Sequence, residues 1–236
     1  MTGGARRIGR EIALGFAEAG AKVAITYLHS QQDATDTLAD LNARGADALS
    51  LFCDVRDAIG VQKTIDEVAH RFGGLDIVVN NAAIFETVDF DQITPEQWEN
   101  MFLTNTRGPY LVARAASKAL RKSHGRIINI GSLGGLRPWS THAHYCSSKA
   151  ALTMLTQIMA KALAPEIAVN CVAPGMISLA QAEPTGWLKD IADRTPMKRA
   201  GSAADVVETV LFLARASHFL TGQVIAVDGG LGLNTL

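Results

Sequence analysis

The sequence predicts an α/β fold, a doubly wound parallel sheet with helices on both faces. Strand-like apolar runs alternate with segments of helical period from one end of the chain to the other. A glycine turn, Thr2-Gly3-Gly4-Ala5-Arg6-Arg7-Ile8-Gly9, opens the first of those helices. The 236 residues carry one compositional character with no linker, repeat or low-complexity tract, which fits one large domain spanning 1–236.

From Ile8 to Ala19 apolar residues fall at helical spacing (Ile8, Ile12, Ala13, Phe16, Ala19), and Gly20 stops them. Val23 to Tyr27 reads as a buried strand, Gln32 to Arg44 as a polar helix, and Ala48 to Cys53 as a strand leading to Asp54. A helix from Val61 to Phe72, a strand from Ile77 to Asn80, a long helix from Pro95 to Lys122 and a strand from Arg126 to Ile130 continue the alternation. The last third reads as helix from about His144 to Leu163, strand from Ile167 to Ala173, helix from Ala203 to Ala214 and strand from Gln223 to Val227. Met176 to Gly201 is the irregular stretch, with Pro184, Gly186, Pro196 and a short helix near Trp187 to Ala192. Its length, and its place after a strand end at Pro174-Gly175, predict a substrate lid. The glycine turn demands a strand feeding into it, yet Met1 leads straight to Thr2-Gly3. We expect that strand to precede Met1, since its loss would leave its neighbours with unpaired backbone groups.

Candidate chemistry concentrates at Tyr145 and Lys149 in the run Tyr145-Cys146-Ser147-Ser148-Lys149, with Ser132 upstream after an apolar strand. At i and i+4 the two side chains share a helix face. Reducing a carbonyl needs a proton donor beside the oxygen, and an unperturbed tyrosine, pKa about 10, holds its proton too tightly for easy exchange near neutrality. An ammonium about 4 Å away is worth ~1 to ~4 kcal/mol, enough to lower that pKa by roughly one to three units. Many helices carry such a pair, so its weight comes from the rest of the chain.

Glycines at a helix start let the backbone approach a pyrophosphate. Asp54 after a later strand, and Asn80-Asn81-Ala82-Ala83 after the next, make a row of strand ends suited to a dinucleotide. NAD-preferring folds place an acid at the end of the second strand, where it would repel a 2′-phosphate. This chain has Tyr27 there, followed by Leu28-His29-Ser30. With no acid, and with Arg6, His29 and Ser30 available to a phosphate, NADP(H) is expected over NAD(H).

In order, Thr2-Gly3 to Gly9, Asp54, Asn80-Asn81-Ala82, Asn105, Ser132, Tyr145, Lys149, Pro174-Gly175 and Asp228-Gly229-Gly230 resemble the short-chain dehydrogenase/reductase family across essentially the whole chain. The resemblance implies a Rossmann fold and an oxidoreductase in which Tyr145 donates the proton. Lys149 would lower its pKa and hold the nicotinamide ribose, Ser132 would bind the reacting oxygen, and Asn105 would kink its helix and relay water to Lys149. For the cofactor it implies Gly3, Arg6, Arg7, Ile8 and Gly9 at the turn, Tyr27, His29 and Ser30 after the next strand, and Asp54 bordering the adenine. Asn80 and Ala82 would support the strand end beside it, and Pro174, Gly175, Ile177 and Ser178 would lie toward the nicotinamide. Candidate substrate contacts are Phe85, Leu133, Trp139, His144, Met176 and Trp187.

Arg7 stands where the family has its usual middle glycine, which resembles pteridine-reductase-like members and, with Phe85, implies a flat conjugated substrate ring. Ser132 argues the other way, because those enzymes often carry an aspartate there. A 3-oxoacyl-carrier-protein or generic ketone reductase is therefore the alternative, and Lys189, Arg194, Lys198 and Arg199 would offer an acyl carrier some basic surface. A non-catalytic NADP-sensing protein is the alternative of another class, since fold alone does not establish activity.

A net charge of −1 with 19% charged residues gives no reason to expect nucleic acid as a partner. No apolar run approaches the ~18 residues of a membrane span, and the start lacks a signal peptide's apolar segment, so a cytoplasmic protein is expected. Cys53, Cys146 and Cys171 form no Cys-x-x-Cys, and the six histidines show no ligand spacing, so no metal is expected. Cys146 is assigned to packing, and His142 and His144 read as solvated loop residues flanking the site. Excess apolar surface on the helix from Ala150 to Leu163, and on the long helix bearing Trp98, Phe102 and Tyr110, predicts self-association, a homotetramer by family resemblance or a homodimer.

Overall fold

The computed structural model describes residues 1–178 and 186–233. Helix α1 (Arg7–Glu18) leads to strand β1 (Val23–Tyr27), α2 (Gln31–Ala43), β2 (Ala48–Phe52), α3 (Ala58–Phe72) and β3 (Ile77–Asn80). Then come α4 (Pro95–Phe102), a π-helical turn over Leu103–Arg107, α5 (Gly108–Ser123), β4 (Arg126–Ile130), α6 (Ala143–Leu163) and β5 (Ala168–Pro174). Two-residue strands β6 (Ile177–Ser178) and β7 (Gly201–Ser202) flank α7 (Trp187–Arg194), and α8 (Ala203–Arg215) precedes β8 (Val224–Val227). Strand bounds agree with the sequence reading to within a residue or so. The predicted long helix differs: it runs as two helices joined by the π turn at Asn105.

All strand pairs are parallel. β1 pairs with β2, while β3, β4, β5 and β8 form a four-stranded sheet in that order. Adjacent strand residues point to opposite faces, and the core divides accordingly. Val79, Ile128 and Val172 pack with α1, α2 and α8 through Ile12, Leu41 and Val206, whereas Val78, Ile127 and Val169 pack with α3, α5 and α6 through Val61, Leu120 and Met159. Helices thus cover both faces, as the alternation predicts.

Met1 and Thr2 join the two sheets. The Thr26 amide donates to the Met1 carbonyl at 3.0 Å, and the Thr2 amide donates to the Val79 carbonyl at 3.0 Å. Short of this junction a groove of about 890 Å³, lined by Ala24, Val68, Phe72, Ile77 and Val79 among others, runs between β1 and β3. Of the expected lid, Met176 to Ser178 and Gly186 to Gly201 are described; Pro184 lies outside the described residues.

Strand parity makes a prediction. The Val23 amide donates toward β2 and the Arg126 amide donates to Asp76 ahead of β3, so the amides of Ala24, Ile77 and Val79 face the groove. In a chain that begins at Met1 they are expected to exchange with solvent deuterium at least tenfold faster than those of Ile128 and Val172 in the covered centre, whereas the strand expected ahead of Met1 would pair and protect them. Equal protection would show that the groove edges are paired.

Candidate active site

The glycine turn is held from three sides. The Asn81 side-chain amide donates to the Thr2 and Gly3 carbonyls at 3.1 and 2.8 Å, and the Thr2 hydroxyl accepts from the Asn81 and Ala82 amides. The Thr37 hydroxyl donates to the Ala5 carbonyl at 2.9 Å from α2. Gly3 has φ +61°, and a Cβ there would lie 2.9 Å from the Ala82 Cα; one on Gly9 would lie 2.2 Å from the Gly3 carbonyl oxygen. Only glycine fits either position. Arg7 occupies φ +54°, a left-handed conformation costing a non-glycine residue about 1–2 kcal/mol. This accounts for glycine being the family's usual residue there.

The start of α1 has no side-chain cap and no acid in its first turn, unlike α3, α4 and α8, which are capped by Asp57, Thr94 and Ser202. Arg6 and Arg7 are exposed beside it, and His29 and Ser30 follow β1 at the start of α2, whose Ser30 also makes no side-chain cap. The Tyr27 ring packs edge-on against Phe52. Asp54 is ion-paired to Arg56 at 2.7 Å, and that hydrogen-bonded guanidinium holds its carboxyl below the usual range. Asn80 is buried and donates to the Asn129 side chain at 2.9 Å.

At the carboxyl ends of β3, β4 and β5 the predicted catalytic residues come together. Ser132 follows β4, is buried, and its hydroxyl accepts from the Gly134 amide at 3.0 Å. Burial pushes the Tyr145 pKa up, and the nearby Ser132 hydroxyl partly offsets this. The Lys149 ammonium is buried, donates to the Ile130 carbonyl at 2.8 Å, and lies 5.9 Å from the Tyr145 ring centroid. Burial lowers its pKa to about 8. Its hydrogen bond goes to a carbonyl and not to the phenol, so Lys149 would act on Tyr145 through space, across the 5.9 Å to the ring.

Asn105, fully buried in the π turn, accepts from the Ile84 amide at 2.9 Å and donates to the Ile84 carbonyl and the Ser148 hydroxyl. The Ser148 hydroxyl in turn donates to the Tyr145 carbonyl at 2.7 Å, and the Thr106 hydroxyl donates to the Ser148 carbonyl. A π turn interrupts the helix at Asn105, whose direct side-chain partners include Ile84 and Ser148. Thr2, Asn81, Thr106 and Ser148 were missed as site residues. Thr2 and Asn81 stand in the quoted motifs without a role, and Ser148 lies in the quoted run between Tyr145 and Lys149.

Of the substrate candidates, Phe85 and Trp139 both pack on the Tyr145 ring, while Leu133 is buried. Met176 and Ile177 follow Gly175, whose amide donates to the Val227 carbonyl; a Cβ on Gly175 would lie 2.6 Å from the Asp228 Cβ, holding Pro174-Gly175 against β8. Ser178 lies in β6, and Trp187 is exposed at the start of α7. His144 is corrected on one point: it is 0% exposed, with its Nε2 3.6 Å from Glu86, so it is not a solvated loop residue. The imidazole of the ring group is that of His142, which contacts Phe85 and Trp139. The expected basic surface is also reduced, because Lys189 pairs with Asp193 and Arg199 with Asp205. Among the described residues no group of three or more metal-ligating side chains occurs, and no helix is long and apolar enough to cross a membrane.

The lowered Lys149 pKa has a consequence for stability. Between about 8, in the folded protein, and about 10.4, in the unfolded chain, the unfolded state binds the extra proton, so stability rises with pH. Wild type should gain about 2 kcal/mol on Lys149→Met between pH 7.5 and 10 in paired urea titrations. A constant difference would place the ammonium in water.

Residues 3–232 match the family described as Enoyl-(Acyl carrier protein) reductase. The chain is 35% identical over 236 residues to 3-oxoacyl-[acyl-carrier-protein] reductase FabG of Staphylococcus aureus, covering 98% of this chain and 96% of that one. It is 33% identical to versicolorin reductase stcU of Emericella nidulans, covering 98% and 93%. Among solved structures, gluconate 5-dehydrogenase of Burkholderia cenocepacia in complex with NADP and tartrate superposes with a TM-score of 0.91 at 33% identity, covering 99% and 94%. A blue fluorescent protein from a metagenomic library, in complex with NADPH, gives 0.90 at 31%, covering 98% and 95%. With this match along nearly its whole length, the chain belongs to the short-chain dehydrogenase/reductase family of oxidoreductases.

Proposed function

We propose that this protein is an NADP(H)-dependent reductase of a small-molecule carbonyl, with Tyr145 as proton donor. The observation that carries the reading is the convergence of Ser132, Tyr145 and buried Lys149 at the strand ends beside the glycine turn. A nicotinamide dinucleotide fits this chain: Gly3 and Gly9 form a cradle that a Cβ would fill, and the uncapped start of α1 favours an anion. Arg6 and Arg7 at the turn, with His29 and Ser30 after Tyr27, favour the 2′-phosphate, and two structural relatives are bound to NADP or NADPH. When bound, NADPH supplies a hydride. Gly3, Ile8 and Gly9 would hold the pyrophosphate, Asp54 the adenine side, Asn80 and Ala82 the neighbouring strand end, and Pro174, Gly175, Ile177 and Ser178 the nicotinamide side.

The residues of the chain divide the remaining work. Ser132 donates a hydrogen bond to the substrate oxygen, polarising the carbonyl without a charge of its own. Burial keeps the phenol of Tyr145 protonated at neutral pH, so it acts as the acid of a reduction. The Lys149 cation stabilises the phenolate left behind. Asn105 and Ser148 fix the turn of α6 that carries the tyrosine. The second reading, reduction of 3-oxoacyl-carrier-protein thioesters, is favoured by the 35% identity to FabG. The chain is read as one domain, 1–236, with a lid over 176–201, and its three unpaired thiols accord with a reducing cytoplasm.

Self-association belongs to the same reading. Trp98, Phe102, Tyr110 and Leu155 line an apolar groove of about 600 Å³ on α4, α5 and α6, and Met154 and Ile158 are exposed next to Leu155 on α6. Covering both helices across a two-fold axis gives a homodimer, and a second axis a homotetramer. Light scattering should return a dimeric or tetrameric mass, reduced toward one chain in Tyr110→Glu; a monomeric wild type would count against it.

Tyr145→Phe should lower NADPH oxidation with a carbonyl substrate by at least a hundredfold while leaving the NADPH dissociation constant within about threefold. Full activity in that variant would remove Tyr145 as the donor.

A further inference from the structure

Two aromatic rings pack on the Tyr145 ring, and a third links them. Phe85 meets it edge to face, with centroids 4.8 Å apart at 86°, and Trp139 lies nearly parallel to it, 6.5 Å away at 19°. His142 joins the two, stacked on Phe85 at 4.9 Å and edge-on to Trp139 at 5.5 Å. Both nitrogens of His142 are engaged, Nε2 with the Thr87 hydroxyl at 3.0 Å and Nδ1 with the Thr141 hydroxyl at 2.9 Å. The Val88 amide also donates to the Thr141 carbonyl at 3.0 Å, binding the loop after β3 to the loop before α6. The ring group is therefore built into the fold.

Two features separate this group from ordinary packing. Phe85 is 56% exposed although it touches the proposed proton donor, so it presents apolar ring surface to whatever approaches Tyr145. A Cβ built on Gly134 would lie 3.4 Å from both the Trp139 indole and the Ser132 hydroxyl, so the indole and the serine flank the same glycine. A group attached directly to the carbonyl carbon must then pass between π surfaces. Burial lowers the His142 pKa, keeping that ring neutral near pH 7, and Phe85 and Trp139 carry no charge.

We propose that the substrate is a planar aromatic ketone whose carbonyl is attached directly to the ring, seated against Phe85 and Trp139, rather than a flexible acyl thioester. This rests on the carbonyl-reductase reading above. The carbonyl carbon gains a hydride and its oxygen the Tyr145 proton, giving the alcohol as NADPH is oxidised to NADP⁺. Flat rings gain from edge-on and offset contact with aromatic side chains beyond what their buried area supplies, by roughly 2- to 12-fold in affinity per ring. A saturated ring of equal size gains only the area.

The test pairs ketones of matched size. Acetophenone and 1-tetralone are compared with cyclohexyl methyl ketone and 1-decalone, and with a 3-oxoacyl thioester, under saturating NADPH. We expect kcat/KM to favour the aryl member at least tenfold, and Phe85→Leu and Trp139→Leu each to cut that ratio at least threefold. A ratio near one in wild type, or higher kcat/KM for the thioester, overturns the aromatic assignment and leaves the reductase reading intact. NADPH oxidation with none of these carbonyls contradicts the reductase reading instead. Calorimetry with 1-naphthol against 1-decalol then decides the ring site alone: at least tenfold tighter binding of the naphthol supports it, and equal affinity overturns it.

Discussion

The hydrogen bond from the Lys149 ammonium to the Ile130 carbonyl is the contact on which the site depends. Ile130 ends β4, and Ser132 follows two residues later; Lys149 lies one helical turn after Tyr145 on α6. One buried bond therefore sets the spacing between the strand end that carries the serine and the helix that carries the tyrosine. Burying an ammonium is costly, and the lowered pKa measures that cost. A carbonyl partner offsets part of it and leaves a cation where a phenolate would form.

The same economy governs the nucleotide side. Thr2, Gly3 and Asn81 lock the glycine turn to the end of β3 through side-chain bonds to backbone groups. The π turn at Leu103–Arg107 brings Asn105 to both Ile84 and Ser148, connecting the loop after β3 to α6. A π turn widens the helix locally and frees backbone geometry that an α-helix would close. Strand ends, turn and helix thus form one framework, and the aromatic group at Phe85, Trp139 and His142 closes its outer side.

The strand positions and the grouping of Tyr145, Lys149 and Ser132 were legible because each rests on a local pattern: buried apolar runs, helical period, and i to i+4 spacing. The break at Asn105 was not, since apolar period does not separate a π turn from a continuous helix over five residues. His144 misled because a polar residue at a helix start reads as solvated, while tertiary packing with Glu86 buries it. The pairing of Lys189 with Asp193 was readable from i to i+4 spacing alone, whereas that of Arg199 with Asp205 needs the turn into α8. The positive φ of Arg7 shows only in the fold, since sequence reveals the substitution and not its strain.

The central claim is that Ser132, Tyr145 and Lys149 form a working reduction site beside a bound nicotinamide. Isotope transfer tests it most directly. With NADPH deuterated at C4 of the dihydronicotinamide and an aryl ketone, mass spectrometry of the alcohol should find one deuterium on the carbinol carbon, while its hydroxyl proton comes from water. Tight binding of the labelled cofactor with no deuterium in any product would contradict the account.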